Sequence, residues 1–364
     1  MANKPQTLGS FEARGIITVT PDTFQVDLKG KNNQNWNYSR INMKMEDGKG
    51  GTFYLTASDG FDLTKGRTIY VNIKNSEEQM QIQFADRHNE TILSQVDERS
   101  FIRVALRKVP NNEGKMVWEY HNFLTLYDAI NFLKDRLQTG MKLYVRGRTR
   151  YSTYNDYLNK DFDIQAIYLL PEDENTELGF KFSQNVLLTS DSVDDSKFDE
   201  ELFANVKAKL YLKKKKDVYE VLTLPLVIRA TEENKDKVRK MIDKFFKVDD
   251  DKVRRIRVEG KYNIGYIAAQ VTEDDLPEEA LELIELGLYD KEEVLKMYAN
   301  KEKVDEMTIT RPVMYKGKND EKPKVDYSDN EYTLDDLVNL VQESREVVVN
   351  IEDDDDLSFL DELD

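Results

Sequence analysis

The sequence has no cysteine and only two histidines, His88 and His121, in 364 residues. The first absence excludes disulfides, thiolate zinc sites and cysteine nucleophiles. The second leaves too few imidazoles for a histidine-built metal centre. No apolar run approaches the roughly 18 residues that a membrane helix needs. The opening stretch, MANKPQTLGS, lacks the apolar core of a secretory signal. Sequence signatures of catalysis are missing too: there is no GxSxG, HExxH or GxxxxGK[ST], and DGKGGT at 47–52 does not have phosphate-loop spacing. These absences predict a cytoplasmic protein without metal or cofactor that is not an enzyme.

What remains is 39% hydrophobic, enough for a real core and, at this length, about two domains. The net charge of -17 at first argues against a polyanionic ligand. Its distribution reverses that. Residues 326–364 hold 15 acidic side chains against one basic residue, Arg345, so they alone carry -14. Residues 1–170 are mildly basic at +3, and residues 171–325 carry -6. The acidity is a property of the C-terminal end, and the N-terminal part is free to attract an anion.

Residues 11–108 read mostly as strands rich in β-branched and aromatic residues, at 16–19, 52–55, 68–71 and 101–104. Then the period changes: Leu126, Ile130, Leu133 and Leu137 recur at helical spacing. Two strands follow, KLYVRGRTRY and FDIQAIYLL. A similar order returns with a strand at 222–228, a helix at 235–247 with Val238, Ile242 and Phe245 on one face, then RRIRVEGKY and YIAAQVTE as two strands. Gly147 and Gly260 fall at matching places in the two copies, which suggests an internal duplication. Residues 277–300 read as a helical hairpin, 315–332 as a polar linker, and 333–349 as a short amphipathic helix. The expected units are 1–172, 173–314 with the hairpin, the linker 315–332, and 333–364 as helix and acidic tail.

Three segments carry chemistry. Alternation along a strand puts Lys142, Tyr144, Arg146, Arg148 and Arg150 on one face and Leu143, Val145, Gly147 and Thr149 on the other. Three arginines beside an aromatic suit a phosphate chain with stacking bases. Tyr151, Tyr154 and Tyr157 in the Asn-rich turn that follows extend the set; the plainer reading is a solvated edge strand. In the second segment, QNWNYSRINMKM, Trp36, Tyr38, Arg40 and Lys44 share a face opposite Ile41, Met43 and Met45. Here base stacking competes evenly with closure of a barrel end. The second copy keeps Arg255, Arg257 and Lys261 but has Glu259 in place of Arg146, which predicts weaker nucleic-acid contact there. Lysines 213–216 read as a solvated turn. Asp161 and Asp163 flank Phe162, too few carboxylates for a two-metal nuclease. The third segment is the C-terminus, where Asp353, Asp354, Asp355 and Asp356 are followed by Leu357, Phe359 and Leu360. So many like charges resist packing and predict a disordered tail. The spaced apolar residues give a partner pocket something to hold.

The chain thus reads as mainly β with α (α+β). A β-rich region with a helix before its last two strands resembles the OB-fold, an OB-fold-like β-barrel occurring here twice in tandem, with a helical hairpin and a disordered acidic tail. An OB region followed by an acidic, aromatic-bearing C-terminus is similar to single-stranded DNA-binding proteins, those of bacteriophages above all, over about residues 11–170 and 345–364. The resemblance implies single-stranded DNA as ligand, bound and protected during replication, recombination or repair. It assigns Arg146, Arg148, Arg150, Tyr144 and Tyr154 to DNA. It assigns Asp353–Asp356 with Phe359 to replication or recombination proteins and to competition with DNA. It leaves room for a homo-oligomer, places the protein in the cytoplasm (the host's, if viral) and gives the membrane no part. Two features depart from the family: Phe359 is followed by LDELD where bacterial members end in Pro-Phe, and no zinc site of the kind some phage members carry can form. The alternative is a non-enzymatic replication or transcription accessory protein acting through protein contacts.

Overall fold

The computed structural model describes residues 4–154, 157–171, 176–215, 218–268, 276–298, 301–317 and 322–337. In its N-terminal half, β1 (Gly9–Thr18), β2 (Trp36–Glu46), β3 (Thr52–Asp62), β4 (Ile102–Ala105), β5 (Lys142–Tyr154) and β6 (Tyr157–Leu169) form the main sheet. The helix α1 (Leu126–Lys134) precedes β5. Its Thr125 side chain accepts a hydrogen bond from the Asp128 backbone N–H at 3.2 Å, and the Asp59 carboxylate from β3 accepts from Leu126 N–H at 2.9 Å. These bonds satisfy N–H groups that a helix start leaves open. Leu126, Ile130, Leu133 and Leu137 are all buried, as their spacing predicts.

In the second half, β7 (Gly179–Leu188), β8 (Phe203–Lys215), β9 (Val218–Arg229), β10 (Val253–Ala268) and β11 (Lys301–Pro312) close into a five-stranded barrel. The ladder runs β7–β8–β9–β11–β10 and back to β7. Its one parallel pair is β9 with β11, Val227 opposite Thr308. The helix α2 (Lys235–Met241) stands between β9 and β10. A mainly β chain with a closed five-stranded barrel and a helix at this place is consistent with an OB-fold.

The N-terminal strands do not close in the same way. β1 pairs with β5 on one side and, at Ile16–Thr18, with β2; β2 pairs with β3, and β5 with β6. The parallel partner of β6 is β4, a short strand from the long segment after β3. The two halves are continuous. β1 also pairs with β7, from Gly9 opposite Gln184 to Arg14 opposite Gly179, and β3 meets β10 at Phe53 and Gly265. One apolar core runs through both.

The matching glycines have a shared reason. Gly147 lies opposite Phe11 of β1, and Gly260 opposite Phe182 of β7. Each follows a bulge in its hairpin, β5–β6 or β10–β11. A Cβ on Gly147 would collide with the Asp163 carbonyl and come within 2.8 Å of the Phe11 ring; on Gly260 it would collide with the Thr308 carbonyl and come within 2.7 Å of the Phe182 ring.

Several sequence expectations are corrected. RRIRVEGKY and the start of YIAAQVTE do not make two strands, because β10 runs unbroken from Val253 to Ala268; the rest of YIAAQVTE lies outside the described residues. Its hairpin partner β11 comes only after the helices α3 (Glu278–Glu285) and α4 (Lys291–Tyr298), so the helical hairpin is inserted inside the barrel's last connection. The helix over 235–247 ends in a π turn, with Lys247 N–H bonded to the Ile242 carbonyl at 3.1 Å. That extra residue per turn brings Phe246, not Phe245, fully into the core. Residues 324–332, read as linker, form strands: Lys324–Val325, and β12 (Tyr327–Tyr332), which pairs with β10. Among the described residues no helix is long and apolar enough to cross a membrane.

The glycine geometry predicts that Gly147→Ala and Gly260→Ala each destabilise the protein by about 1–3 kcal/mol, the range for forcing extra volume into a packed site. Urea unfolding of the two variants beside the parent measures this.

Candidate nucleic-acid interface

β5 alternates as its sequence predicts. Leu143, Val145, Gly147 and Thr149 are buried, while Arg146, Arg148 and Arg150 are exposed. Across the ladders, Arg146 lies opposite Glu12 of β1, Arg148 opposite Ser10 and Asp163, and Arg150 opposite Asp161. Among the described residues none of the three arginines makes an ion pair. Burial raises the Asp161 carboxyl above its usual range, and Arg150 only partly offsets this. Asp161 and Asp163 thus face arginines, and no group of three or more metal-ligating side chains occurs among the described residues.

Tyr144 continues the row at its other end. The Arg14 guanidinium lies 4.7 Å from the ring centroid. Burial and the Glu12 carboxylate raise its phenol. Lys142 is half-buried at the start of the strand.

Arg148 and Arg150 line a groove of about 450 Å³. Its other wall comes from the segment between β3 and α1 and brings Arg67, Tyr70 and Arg99. Arg67 is held on Asp59, and Arg99 on Asp97 at 2.8 Å. Tyr70 is 64% exposed. Sequence reasoning missed these three. They sit in short strands and turns with no period to mark a face, and only the chain reversal after β3 carries them to β5.

Other expected residues lie elsewhere. Tyr151 is not a surface residue: it has the parity of Leu143 and Thr149, so alternation turns it into the core, where it is 8% exposed and lies beside Tyr262. Burial pushes its phenol well up. The strands run on to Tyr154 and restart at Tyr157, so these two are register partners at the hairpin tip rather than parts of a long turn. Trp36, Tyr38, Arg40 and Lys44 lie on β2, separated from β5 by β1. Ile41, Met43 and Met45 fill the core as predicted. Tyr38, however, is 8% exposed, with Gly60 as its register partner on β3; Trp36, Arg40 and Lys44 stay half-exposed. The tail residues Asp353, Asp354, Asp355, Asp356, Leu357, Phe359 and Leu360 fall outside the described residues.

The corresponding strand of the closed barrel is occupied. β12 lies along β10 with its carboxylates on the arginines. Asp329 takes Arg254 at 2.6 and 2.7 Å, and Asp326 takes Arg255 at 2.9 Å, with Glu331 as a second partner of Arg255. Arg257 donates to Ser183 Oγ at 3.0 Å, Glu259 pairs with Arg311, and Lys261 pairs with Glu177 at 3.4 Å. Part of the acidic C-terminal charge is therefore a strap over Arg254 and Arg255 at the start of β10. Tyr332 and Leu337 anchor its end in a cluster with Leu187, Tyr211 and Val253, and Lys4 pairs with Asp336 at 2.7 Å.

The hydrogen bonds from Arg254 hold the Asp329 carboxyl below its usual range. A lowered folded-state pKa contributes stability above the unfolded value, near 4, and loses it as pH falls through the folded value. Asp329→Asn should therefore cost about 1–3 kcal/mol at pH 7, the scale of hydrogen bonds to a charged partner, and the difference from the parent should shrink below about pH 4. Urea titrations of both chains across pH 3–7 test this.

No family model matches the chain, and no curated protein resembles it in sequence. Among solved structures it is similar to the wild-type single-stranded DNA binding protein from Thermus aquaticus, at a TM-score of 0.32 and 11% identity, over 71% of this chain and 86% of that one. It is also similar to a deletion mutant of that protein, at a TM-score of 0.31 and 12% identity, over 71% and 87%. Both are bacterial proteins, and a likeness of this degree carries no residue-by-residue correspondence.

Proposed function

We propose that the chain binds single-stranded DNA along the outer face of β5, without cutting or copying it, and so protects it during replication or recombination. The observation that carries this is the row Arg146, Arg148, Arg150: exposed, without ion-pair partners among the described residues, and continued at Arg148 and Arg150 into the groove with Tyr70. Alternate residues of a strand stand about 6.6 Å apart, so the row presents evenly spaced cations to a flexible polyanion. We read the N-terminal half as a second, opened OB unit in tandem with the closed barrel. In this reading the strap makes the closed barrel the structural member and leaves the open unit to bind. Residues 338–364 act as a competitor for the same groove and as the contact for partner proteins.

A second reading, contact with a protein partner through the hairpin of α3 and α4, draws on exposed Leu286 and Leu288 in its connection and Met297 on α4. Gel shifts with labelled single- and double-stranded oligonucleotides separate the two: a chain that shifts neither acts through protein contacts, and Mg²⁺-dependent degradation would reveal a nuclease instead.

Replacing Arg146, Arg148 and Arg150 by Ala should weaken binding to oligo-dT roughly tenfold or more and flatten the plot of log K against log salt by about 2, near 0.7 per lost phosphate contact. An unchanged slope in anisotropy titrations would move the site elsewhere. Truncation after Leu337, which keeps the strap, should tighten binding at low salt; equal affinity of the two forms removes the competitor role.

A further inference from the structure

At the Tyr144 end of the row, the structure holds a cleft that the arginines do not explain. Tyr144 and Tyr168 are register partners on β5 and β6, with ring centroids 6.2 Å apart. Tyr120 meets Tyr168 edge-on at 6.0 Å and is 56% exposed. Trp118, from the short hairpin Lys108–Pro110 with Met116–Trp118, completes the wall. Together with Ala105 and Pro171 these rings enclose about 200 Å³ open to solvent. Four aromatic side chains around an open cleft leave apolar area in water that a flat ligand would cover.

Charge selects among flat ligands. The Arg14 guanidinium already sits 4.7 Å from the Tyr144 centroid, and Lys108 Nζ lies 5.1 Å from that of Trp118. Arg14 is also paired with Glu12 at 3.1 Å, so Lys108 over Trp118 is the cation that disfavours a cationic guest. A neutral ring attached to an anion is favoured. Tyr144 is also two residues from Arg146 on the same face, so an anion on Arg146 and a ring in the cleft are one strand repeat apart.

From this we infer that the cleft of Trp118, Tyr120, Tyr144 and Tyr168 takes one unstacked nucleobase of the strand whose phosphates follow Arg146, Arg148 and Arg150. The inference rests on the nucleic-acid reading above and adds a base-holding subsite to it. Phosphates on the arginines account for affinity that any backbone would show; the cleft accounts for affinity that needs bases.

The test compares oligo-dT with an abasic oligomer of the same length, titrated by anisotropy against the full chain and against Tyr168→Ala, Tyr120→Ala and Tyr168→Phe. The parent should prefer oligo-dT. In Tyr168→Ala and Tyr120→Ala that preference should fall roughly five- to hundredfold, the effect of one lost base stack, with abasic binding and the salt slope unchanged. Tyr168→Phe should retain it. Tyr120 is largely exposed, so its variant reports on the cleft even where Tyr168→Ala fails to fold. If the alanine variants keep the parent's preference, the subsite is wrong and the arginine row stands. If the parent binds neither oligomer, the nucleic-acid reading falls and the subsite with it.

Discussion

Between Gly9 and Arg14, β1 is hydrogen-bonded on one edge to β5 and on the other to β7. That shared strand is what the rest of the molecule depends on. It makes the two halves one sheet, and it forces their cores to meet. Phe11, Phe162, Phe180 and Tyr262 then form one aromatic contact series across the junction, with centroids 4.6–5.9 Å apart. Burying several such rings yields more than their area, because edge-to-face pairs add attraction of their own. The close approach is possible only because Gly147 and Gly260 have no Cβ at the points where Phe11 and Phe182 cross them. Each glycine thus sets the depth at which a half is packed and, through the bulge beside it, the direction in which the next basic residue points.

The two halves treat their basic residues differently. On β5 the three arginines are exposed and make no ion pair among the described residues, and Arg148 and Arg150 line the groove. At the start of β10, Arg254 and Arg255 are held by Asp326 and the β12 carboxylates, more than 70 positions away in the sequence. A guanidinium satisfied by a bidentate carboxylate has little left for a phosphate. The distribution of acid along the chain therefore decides where a polyanion can sit.

Much of the architecture was legible locally. The helix at 126–137 announces itself by period, and β5 by strict alternation, because both patterns are set by which side chains reach the core. The match of Gly147 with Gly260 was visible as well, although its reason, a ring packed against a backbone carbonyl, was not. Less legible were the elements without a period. β7, β8 and β11 carry mixed polar and apolar residues, since each pairs on both sides or curves around the barrel. Residues 324–332 look like a linker because their charges are satisfied only by arginines that no local window contains.

By itself, the sequence determined the face of β5, the apolar spacing of α1 and the displacement of negative charge to one end, all consequences of side-chain order along a regular backbone. Only the tertiary structure decided which basic row stays open. It also turned Tyr151 inward, brought Arg67, Tyr70 and Arg99 to the groove, and built the aromatic cleft from strands far apart in the chain. Those outcomes depend on long-range pairing, in which a residue's partner is chosen by the path of the backbone rather than by its neighbours in sequence.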